Sequence, residues 1–432
     1  MTKPALTCYG GVGTVTGANF LLEVGDKKVL IDCGLFQGLK DSETKEKSKF
    51  DYDPALVNFL FITHAHIDHI GRIPDLVLAG FKGVIYSTPL TKEIVELMLH
   101  DLVHINGGDD AIVGRVMNLW QTIDYHQSKS FEEFSVELFD AGHILGSSMY
   151  KFTFSVGKSI LFTGDLGNPS SPLQNEREKV SNVSYILMDS VYGDRNHQGG
   201  EVRDAKFTAL IEDVIARRST LLIPIFSLER TQVIVHDLDN LFETKKIQSI
   251  PVFLDSPLAI HITEIYKRVL TKGRDDFNFN KFKETAQVRD SMEIAKVPGP
   301  KIILAGSGMS TAGRIVIHEQ RFLPDPNATI LFVGYQAAGT LGRLIRDGAK
   351  KVEINGKLIE VRARVVAIDG FSAHADSDQL VEFVSENQET LKKVFITMGE
   401  MKSSIFLAQR LKDELNVDSV IPERGKKYEL DL

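Results

Sequence analysis

Short apolar runs separated by tight polar turns open the chain. Phe20–Val24 and Val29–Asp32 flank Gly25-Asp26, and a Gly-Asp pair between apolar runs is typical of a β-hairpin. A further run, Phe59–Ile62, leads into a polar loop and then into a segment with helical spacing that begins at Ile73. The pattern predicts layers of sheet flanked by helices.

The next part of the chain continues this mixture. Strands are predicted at Val84–Tyr86, Ser135–Phe139, Tyr150–Val156, Ile160–Thr163 and Tyr185–Met188, and helices at Lys92–Val103 and Ala111–Thr122. The single tryptophan, Trp120, is predicted to pack from the second of these helices.

Beyond residue 196 the pattern changes to a regular alternation of helix and strand, from Leu210–Ala216 to Ile330–Val333. This alternation predicts an α/β unit with a parallel sheet. From residue 350 the chain returns to hairpin character around Asn355-Gly356, and it closes with a strand at Val394–Ile396 and a helix near Ile405–Leu415. We therefore predict that residues 196–349 are inserted into a domain made from residues 1–195 and 350–432.

Composition narrows the class of protein. The 432 residues are 43% hydrophobic and 25% charged, which is typical of a globular protein and not of a disordered one. The net charge of −8 excludes a basic coat for nucleic acid, so any polyanion must be held by a local groove or by metal ions. Two isolated cysteines, no apolar leader and no membrane-length apolar stretch predict a soluble, cytoplasmic protein.

The strongest chemical signal is His64-Ala65-His66-Ile67-Asp68-His69, which directly follows an apolar strand. Neutral imidazoles and a carboxylate are ligands that borderline divalent metals prefer. Further ligands are predicted from two other strand ends, at His143 and Asp165, and Asp165 can bridge two cations about 3.5–4 Å apart. Asp32 follows another strand and is able to orient ligand imidazoles, although a turn cap is an equal alternative.

These segments resemble the motif set of the metallo-β-lactamase fold. Further blocks resemble its β-CASP branch of nucleases, among them Asp189–Arg195, Phe226–Gln232, Gly306–Met309, Gly334–Ala337 and Phe371–Asp376. The resemblance spans essentially the entire chain. It implies an αββα metallo-β-lactamase sandwich with an inserted β-CASP α/β domain, and a nuclease that acts chiefly on RNA.

The resemblance also implies two zinc sites. His64, His66, His143 and Asp165 would hold the first metal, and Asp68, His69 and Asp165 the second. The family normally supplies one more histidine to the second metal, whereas this chain has Met398 in Thr397-Met398-Gly399-Glu400. A thioether is a poor zinc ligand beside imidazole and carboxylate, so the second site is predicted to be weakened.

The family's catalytic acid corresponds to His374, although its position before a helix that begins near Ser377 would on its own favour a polar cap. Asp189 is predicted to hold His374 in its productive tautomer and to raise its pKa, and Asp68 is counted with the catalytic residues as well as with the ligands. Contacts to the RNA backbone are predicted from six residues, although a surface salt bridge is the alternative for both arginines: Ser227, Arg230, Ser307, Gly308, Arg343 and Ser372.

The sequence thus predicts a zinc-dependent endoribonuclease that cuts single-stranded RNA by metal-activated water, in RNA processing or decay, with a homodimer as an open option. Two alternatives remain. One is a non-catalytic or weakly active RNA-binding subunit, which Met398 motivates. The other is a DNA-directed nuclease of the same fold, which would show no dependence on the 2′-hydroxyl.

Overall fold

The structure is a computed structural model that describes residues 3–37, 49–169, 171–197, 199–270, 282–285, 287–337 and 339–431. Its strands are β1 (Ala5–Cys8), β2 (Phe20–Val24), β3 (Lys27–Ile31), β4 (Phe59–Phe61), β5 (Val84–Ser87), β6 (Trp120–Thr122), β7 (Ser128–Ser130), β8 (Phe134–Asp140), β9 (Ser148–Phe154), β10 (Ser159–Phe162), β11 (Tyr185–Met188), β12 (Thr220–Ile225), β13 (Val252–Asp255), β14 (Lys283–Glu284), β15 (Lys301–Gly306), β16 (Thr329–Phe332), β17 (Lys351–Ile354), β18 (Lys357–Glu360), β19 (Arg364–Ala367), β20 (Lys393–Ile396), β21 (Ser419–Val420) and β22 (Lys427–Glu429).

The helices alternate with these strands and cover the sheets. They are α1 (Ile67–Ile70), α2 (Ile73–Leu78), α3 (Pro89–Ile105), α4 (Ala111–Met117), α5 (Gly200–Ala216), α6 (Arg230–Glu243), α7 (Pro257–Leu270), α8 (Val288–Ile294), α9 (Ile315–Phe322), α10 (Leu341–Arg346), α11 (Ser377–Ser385) and α12 (Met401–Leu415), with a 3₁₀ turn at Pro54–Leu56.

Two seven-stranded mixed sheets form a sandwich. One has the strand order β22-β1-β2-β3-β4-β5-β6 and the other β21-β20-β11-β10-β9-β8-β7. Between them lies a dense apolar core that includes Leu22, Phe61, Phe152 and Phe395. Burial of each such side chain is worth about 1.5–3 kcal/mol, so this layer holds the two sheets together.

Helices cover both outer faces of the sandwich. Helices α2, α3 and α4 pack on the first sheet through residues such as Leu76 and Leu99. Helices α11 and α12 pack on the second sheet through residues such as Leu380 and Leu407. The layers are therefore helix, sheet, sheet, helix, as the predicted αββα sandwich requires.

The middle of the chain forms a separate six-stranded sheet with the order β14-β13-β15-β12-β16-β19. Every pair of neighbours in it is parallel. Because α5 begins at Gly200 and the chain is back on the second sheet by α11 at Ser377, this α/β unit is inserted between strands β11 and β20, which are neighbours in the second sheet. The mixed α/β class and the inserted parallel sheet agree with the sequence analysis.

Two elements differ from the sequence-based expectations. The predicted helix at Ala111–Thr122 ends at Met117, and Trp120 lies instead in β6, where it pairs with β5 and its indole N–H donates to the hydroxyl of Ser87. Aromatic and β-branched residues favour such a half-buried edge strand. Strand β19 leaves the hairpin β17–β18 and joins the central sheet, although residue 350 was the predicted return to the outer domain.

Candidate metal centre

The His-rich loop leaves the carboxyl end of β4 and is held by Asp32, which follows β3. The backbone N–H and the hydroxyl of Thr63 each donate to Asp32, both at 2.8 Å. The other contact of Asp32 is to Nδ1 of His69, at 2.7 Å. The carboxylate therefore lies where it can fix both the loop and one imidazole.

Four ligand atoms converge beside this loop, three from buried side chains and one from the half-buried His66. His64 Nε2 and His66 Nδ1 are 3.1 Å apart, and His143 Nε2 is 3.2 Å from the same atom of His66. Asp165 Oδ2 lies 3.6 Å from His64 Nε2 and 3.7 Å from His143 Nε2. Lone pairs that face one another at such distances suit a cation between them.

The protonation states of these imidazoles support the same conclusion. Burial lowers the pKa of His64 and of His143 well below the ordinary value, and it lowers the pKa of His66 to about 3. The three rings are therefore neutral at physiological pH, which is the form that ligates a metal. This set of residues fits a divalent cation.

A second position adjoins the first one through Asp165. His69 Nε2 lies 3.4 Å from Asp165 Oδ2 and 3.9 Å from Asp68 Oδ2, and it has no hydrogen-bond partner. Burial opposes a charge on His69, but the carboxylates of Asp165 and Asp32 outweigh it and raise its pKa well above the ordinary value. Burial raises the pKa of Asp68 to about 6. A cation bound here would displace the proton of His69. The ligand atoms of this second position also lie farther apart than those of the first set.

Met398 does not contribute to the second position. Its side chain is buried in the core between the sheets, and its sulfur lies against Gly11, where a Cβ atom would come within 2.6 Å of it. The backbone N–H of Met398 donates to the carbonyl of Gly11 at 2.6 Å. The residue at this position therefore packs as an apolar side chain.

His374 and Asp189 lie beside Asp165. His374 Nδ1 is 3.8 Å from Asp165 Oδ2, and Asp189 accepts a hydrogen bond from the backbone N–H of Leu166 at 3.0 Å. Within the described part of the chain, two sets of side chains bring ligand atoms within 4.8 Å of one another: His64, His66, His143 and Asp165 form one, and Asp165, Asp189 and His374 form the other.

One expectation about this pair is not met. Burial lowers the pKa of His374 to about 4, so Asp189 does not raise it. Burial and the neighbouring Asp165 carboxylate raise the pKa of Asp189 itself well above the ordinary value. A carboxyl group with a raised pKa gives less support to a positive charge on a neighbouring imidazole.

The metal centre opens into a cleft of about 330 Å³ between the sandwich and the inserted unit. Five of the predicted substrate contacts line it: Ser227, Arg230, Ser307, Gly308 and Ser372. The Nη1 atom of Arg230 donates to the carbonyl of Val333 at 2.6 Å, which fixes the guanidinium in the cleft wall. Arg343 is not among the lining residues, and it pairs with Asp347 one helical turn later at 2.7 Å.

Sequence reasoning missed several residues of this cleft. Glu229 lines it in a left-handed backbone conformation, with a φ of 68°, and burial raises its pKa to about 7. Its Oε2 atom lies 3.4 Å from Nε of Arg230. The sequence feature that could have indicated Glu229 is its position directly before an arginine that was predicted to bind phosphate. Tyr335, which lies in the block Gly334–Ala337, donates from its hydroxyl to Oε1 of Glu400 at 2.6 Å.

Three family models match segments of the chain. They are described as the Beta-Casp domain at residues 231–345, the anti-Pycsar protein Apyc1 at residues 12–198, and the Zn-dependent metallo-hydrolase RNA specificity domain at residues 358–422. The first lies in the inserted unit, and the other two lie mainly in the two parts of the sandwich.

Named relatives match the chain over nearly its whole length. Ribonuclease TTHA0252 of Thermus thermophilus is 30% identical over 93% of this chain and 95% of its own length. Transcription termination factor FttA of Methanosarcina mazei is 29% identical over 96% of this chain and 70% of its own length. A crystal structure of a protein of unknown function from Enterococcus faecalis, 15% identical, has a TM-score of 0.61 and covers 99% of this chain and all of that one, which supports the fold.

None of the helices among the described residues combines the length and the apolar character that crossing a bilayer demands.

Proposed function

This chain belongs to the β-CASP family of metallo-β-lactamase-fold ribonucleases, and from that membership we propose that it cuts within single-stranded RNA lying in the cleft. The observation that carries the proposal is the convergence of His64, His66, His143 and Asp165 at the floor of a cleft that Arg230 also lines. Metal ligands that lie beside an arginine guanidinium and hydroxyl groups are suited to a phosphodiester substrate.

In this proposal His64, His66, His143 and Asp165 hold the first zinc ion, and Asp68, His69 and Asp165 hold the second with lower affinity. Bound zinc would supply an activated water nucleophile and neutralise charge on the phosphate. Asp32 orients His69 through their hydrogen bond of 2.7 Å. The sandwich therefore supplies the metal ligands, and the inserted unit forms the other side of the cleft.

The remaining steps belong to the protein's own residues. Arg230 and Ser227 bind the phosphate next to the bond that breaks, and Glu229 restrains Arg230 from its other side. His374 gives a proton to the leaving oxygen. Its pKa of about 4 rises when the negatively charged phosphate enters, because an opposite charge nearby favours the imidazolium form. Asp189 acts as a positioning residue that holds the segment after Asp165 through its bond to Leu166.

The second candidate is an RNA-binding subunit with little or no activity. Met398 is the observation that favours it, because the side chain packs in the core and leaves the second set of ligands without a fourth protein donor. The other ligand positions and His374 are retained, which favours the active enzyme.

Metal analysis paired with cleavage of an end-labelled RNA tests the proposal. We expect bound zinc, internal cuts, and loss of cutting with a chelator. Asp165→Ala should lose metal at both positions, whereas the exposed Asp124→Ala should not. His374→Ala should keep its metal and lose about 10²–10⁴-fold in kcat, the usual contribution of an acid catalyst.

Other outcomes would overturn parts of this assignment. If Asp165→Ala retained metal at both positions, Asp165 would not be a ligand that the two positions share. If His374→Ala cut RNA at the full rate, His374 would not be the catalytic acid. RNA bound but not cut would favour the inactive subunit. Cutting of the matching DNA strand at a comparable rate would favour a DNA-directed enzyme.

A further inference from the structure

One face of helix α3 lines the cleft with apolar side chains. Met98, Leu102 and Ile105 occupy this face together with Asp101, at helical spacings of three and four residues. Ile105 is 63% exposed, and Met98 and Leu102 are half-buried. They share the cleft with the metal-ligating His66.

This face overlaps only partly with the one that anchors the helix. Helix α3 packs into the core through Ile94, Val95, Leu99 and Val103, which are all buried. Met98 and Leu102 touch the edge of this core with part of their surface, and the rest of that surface faces the cleft together with Ile105. Exposed apolar side chains inside a functional cleft indicate a surface that a ligand covers.

The position of this surface is fixed by both units of the molecule. At its amino terminus the hydroxyl of Thr88 caps α3 by accepting a hydrogen bond from the N–H of Thr91. Glu93 of α3 pairs with Arg268 of α7 at 2.5 Å, and Leu258 of α7 lines the cleft beside the α3 face. These contacts place the α3 side of the cleft next to the inserted unit.

The two sides of the cleft differ in chemistry. Ser227, Arg230 and Ser307 come from the inserted unit and offer hydroxyl groups and a positive charge, and Glu229, Phe226 and Met309 line the cleft beside them. The α3 side offers hydrocarbon and the carboxylate of Asp101. A phosphate is attracted to the first side and repelled from the second, whereas the uncharged face of a base is suited to hydrocarbon.

We infer that Met98, Leu102 and Ile105 form a subsite for a nucleobase of the RNA, next to the phosphate that is cut. The inference rests on the proposed function and adds an orientation to it: phosphates run along the Arg230 side and bases lie on α3. Because the contact is apolar and does not recognise the hydrogen-bonding groups of the base, it tolerates any base.

The test uses the full chain loaded with zinc and two RNA strands of equal length. One strand is intact, and the other lacks its bases around the cleavage position. Ile105→Ser and, separately, Leu102→Ala should each raise KM for the intact strand by about three- to tenfold, through the apolar area lost. Both variants should leave KM for the abasic strand at the wild-type value.

Leu78→Ser is the matched control, because Leu78 is 62% exposed on α2 and is not among the residues that line the cleft. Its KM should be unchanged for both strands. An unchanged KM for the intact strand in Ile105→Ser and Leu102→Ala would overturn the subsite, even if the wild-type enzyme cuts RNA normally. Equal increases for both strands would overturn it too, since the bases would not be the group in contact.

The two proposals fail differently. If the wild-type protein with zinc cuts neither strand, the proposed function fails. If the wild-type protein cuts the intact strand, but Ile105→Ser and Leu102→Ala show the wild-type KM for that strand, only the nucleobase subsite fails.

Discussion

Four imidazole rings surround the carboxylate of Asp165. Its Oδ2 atom lies between 3.4 and 3.8 Å from nitrogens of His64, His69, His143 and His374. Burial opposes its charge, yet the surrounding imidazoles, His69 foremost, lower its pKa well below the ordinary value. A buried carboxylate that stays ionised is suited to holding cations.

Because position 398 holds a methionine, the proposed second metal position has three protein ligands and lacks a fourth. The small space beside its side chain is lined by Asp32, Thr63 and His69. A histidine at position 398 would replace an apolar side chain by a neutral imidazole, which is a good zinc ligand. Its nitrogen would lie close to His69, the ring that already faces Asp165. We therefore expect Met398→His to raise the zinc content from about one to about two ions per chain and to increase kcat.

Elemental analysis and a zinc titration in competition with a chelator measure this effect. Met401→His is the matched control, because Met401 is 49% exposed and lies one turn away at the start of α12. The same zinc affinity and the same rate in Met398→His and the wild type would show that position 398 is not part of the site.

At the scale of elements, the spacing of apolar residues predicted most strands and helices because it reflects which side of each element is buried. The His-rich loop could be placed at a strand end for the same reason. The strand β6 could not, since Trp120-Gln121-Thr122 continues the helical spacing of α4 and only its pairing with β5 makes it a strand. Local pattern does not report such long-range pairing.

The site was less predictable than the fold. Asp32, His143 and Asp165 could be named because each follows an apolar run. Glu229 could not, because its role depends on a left-handed turn and on burial against Arg230, and neither is visible in a linear pattern. The direction of the pKa shift of His374 also depends on burial, which sequence does not give.

Helix α9 carries a testable example of such burial. Glu319 is fully buried, accepts a hydrogen bond from Ser310 at 2.5 Å, and has a pKa raised by burial from 4.5 to about 8. Between these two values the folded protein holds a proton that the unfolded chain has lost. The stability that Glu319 contributes is therefore complete below about pH 4.5 and declines as pH rises to about 8.

We expect Glu319→Gln to reduce this decline, since an amide does not ionise. The free energy of unfolding, measured with denaturant at pH 5 and pH 8.5 in the presence of a chelator, should fall by a few kcal/mol less in the variant than in the wild type, at roughly 1.4 kcal/mol per pKa unit. The exposed Glu293→Gln is the control. Equal falls in all three proteins would mean that Glu319 is ionised in the fold.

At the scale of the whole molecule, the insertion could be predicted because chain texture changes near residue 196. The exact return could not, since β19 joins the central sheet by pairing with β16, which precedes it by more than thirty residues. The relation of the two units depends on contacts between distant residues, among them Glu93 with Arg268 and Tyr335 with Glu400. Both contacts join the sandwich to the inserted unit.

The bond from Tyr335 to Glu400 joins the inserted unit to the start of α12 across the rim of the cleft. Burial and the hydrogen bond to Glu400 raise the pKa of Tyr335 to about 12, so the phenol remains a donor at every working pH. Because Glu400 is exposed, the bond is worth only about 0.5–1.5 kcal/mol, which is enough to bias the cleft without holding the fold.

Tyr335→Phe keeps the ring and removes only this bond. We expect the melting temperature to stay within about 2 °C of the wild type and KM for RNA to rise about two- to fivefold, because an open cleft aligns its phosphate and base sides less well. Glu400→Gln retains a side-chain oxygen as acceptor and should stay close to the wild type, whereas Glu400→Ala should match Tyr335→Phe. If only Tyr335→Ala raised KM, the ring would contact RNA directly and the bond would not control the cleft.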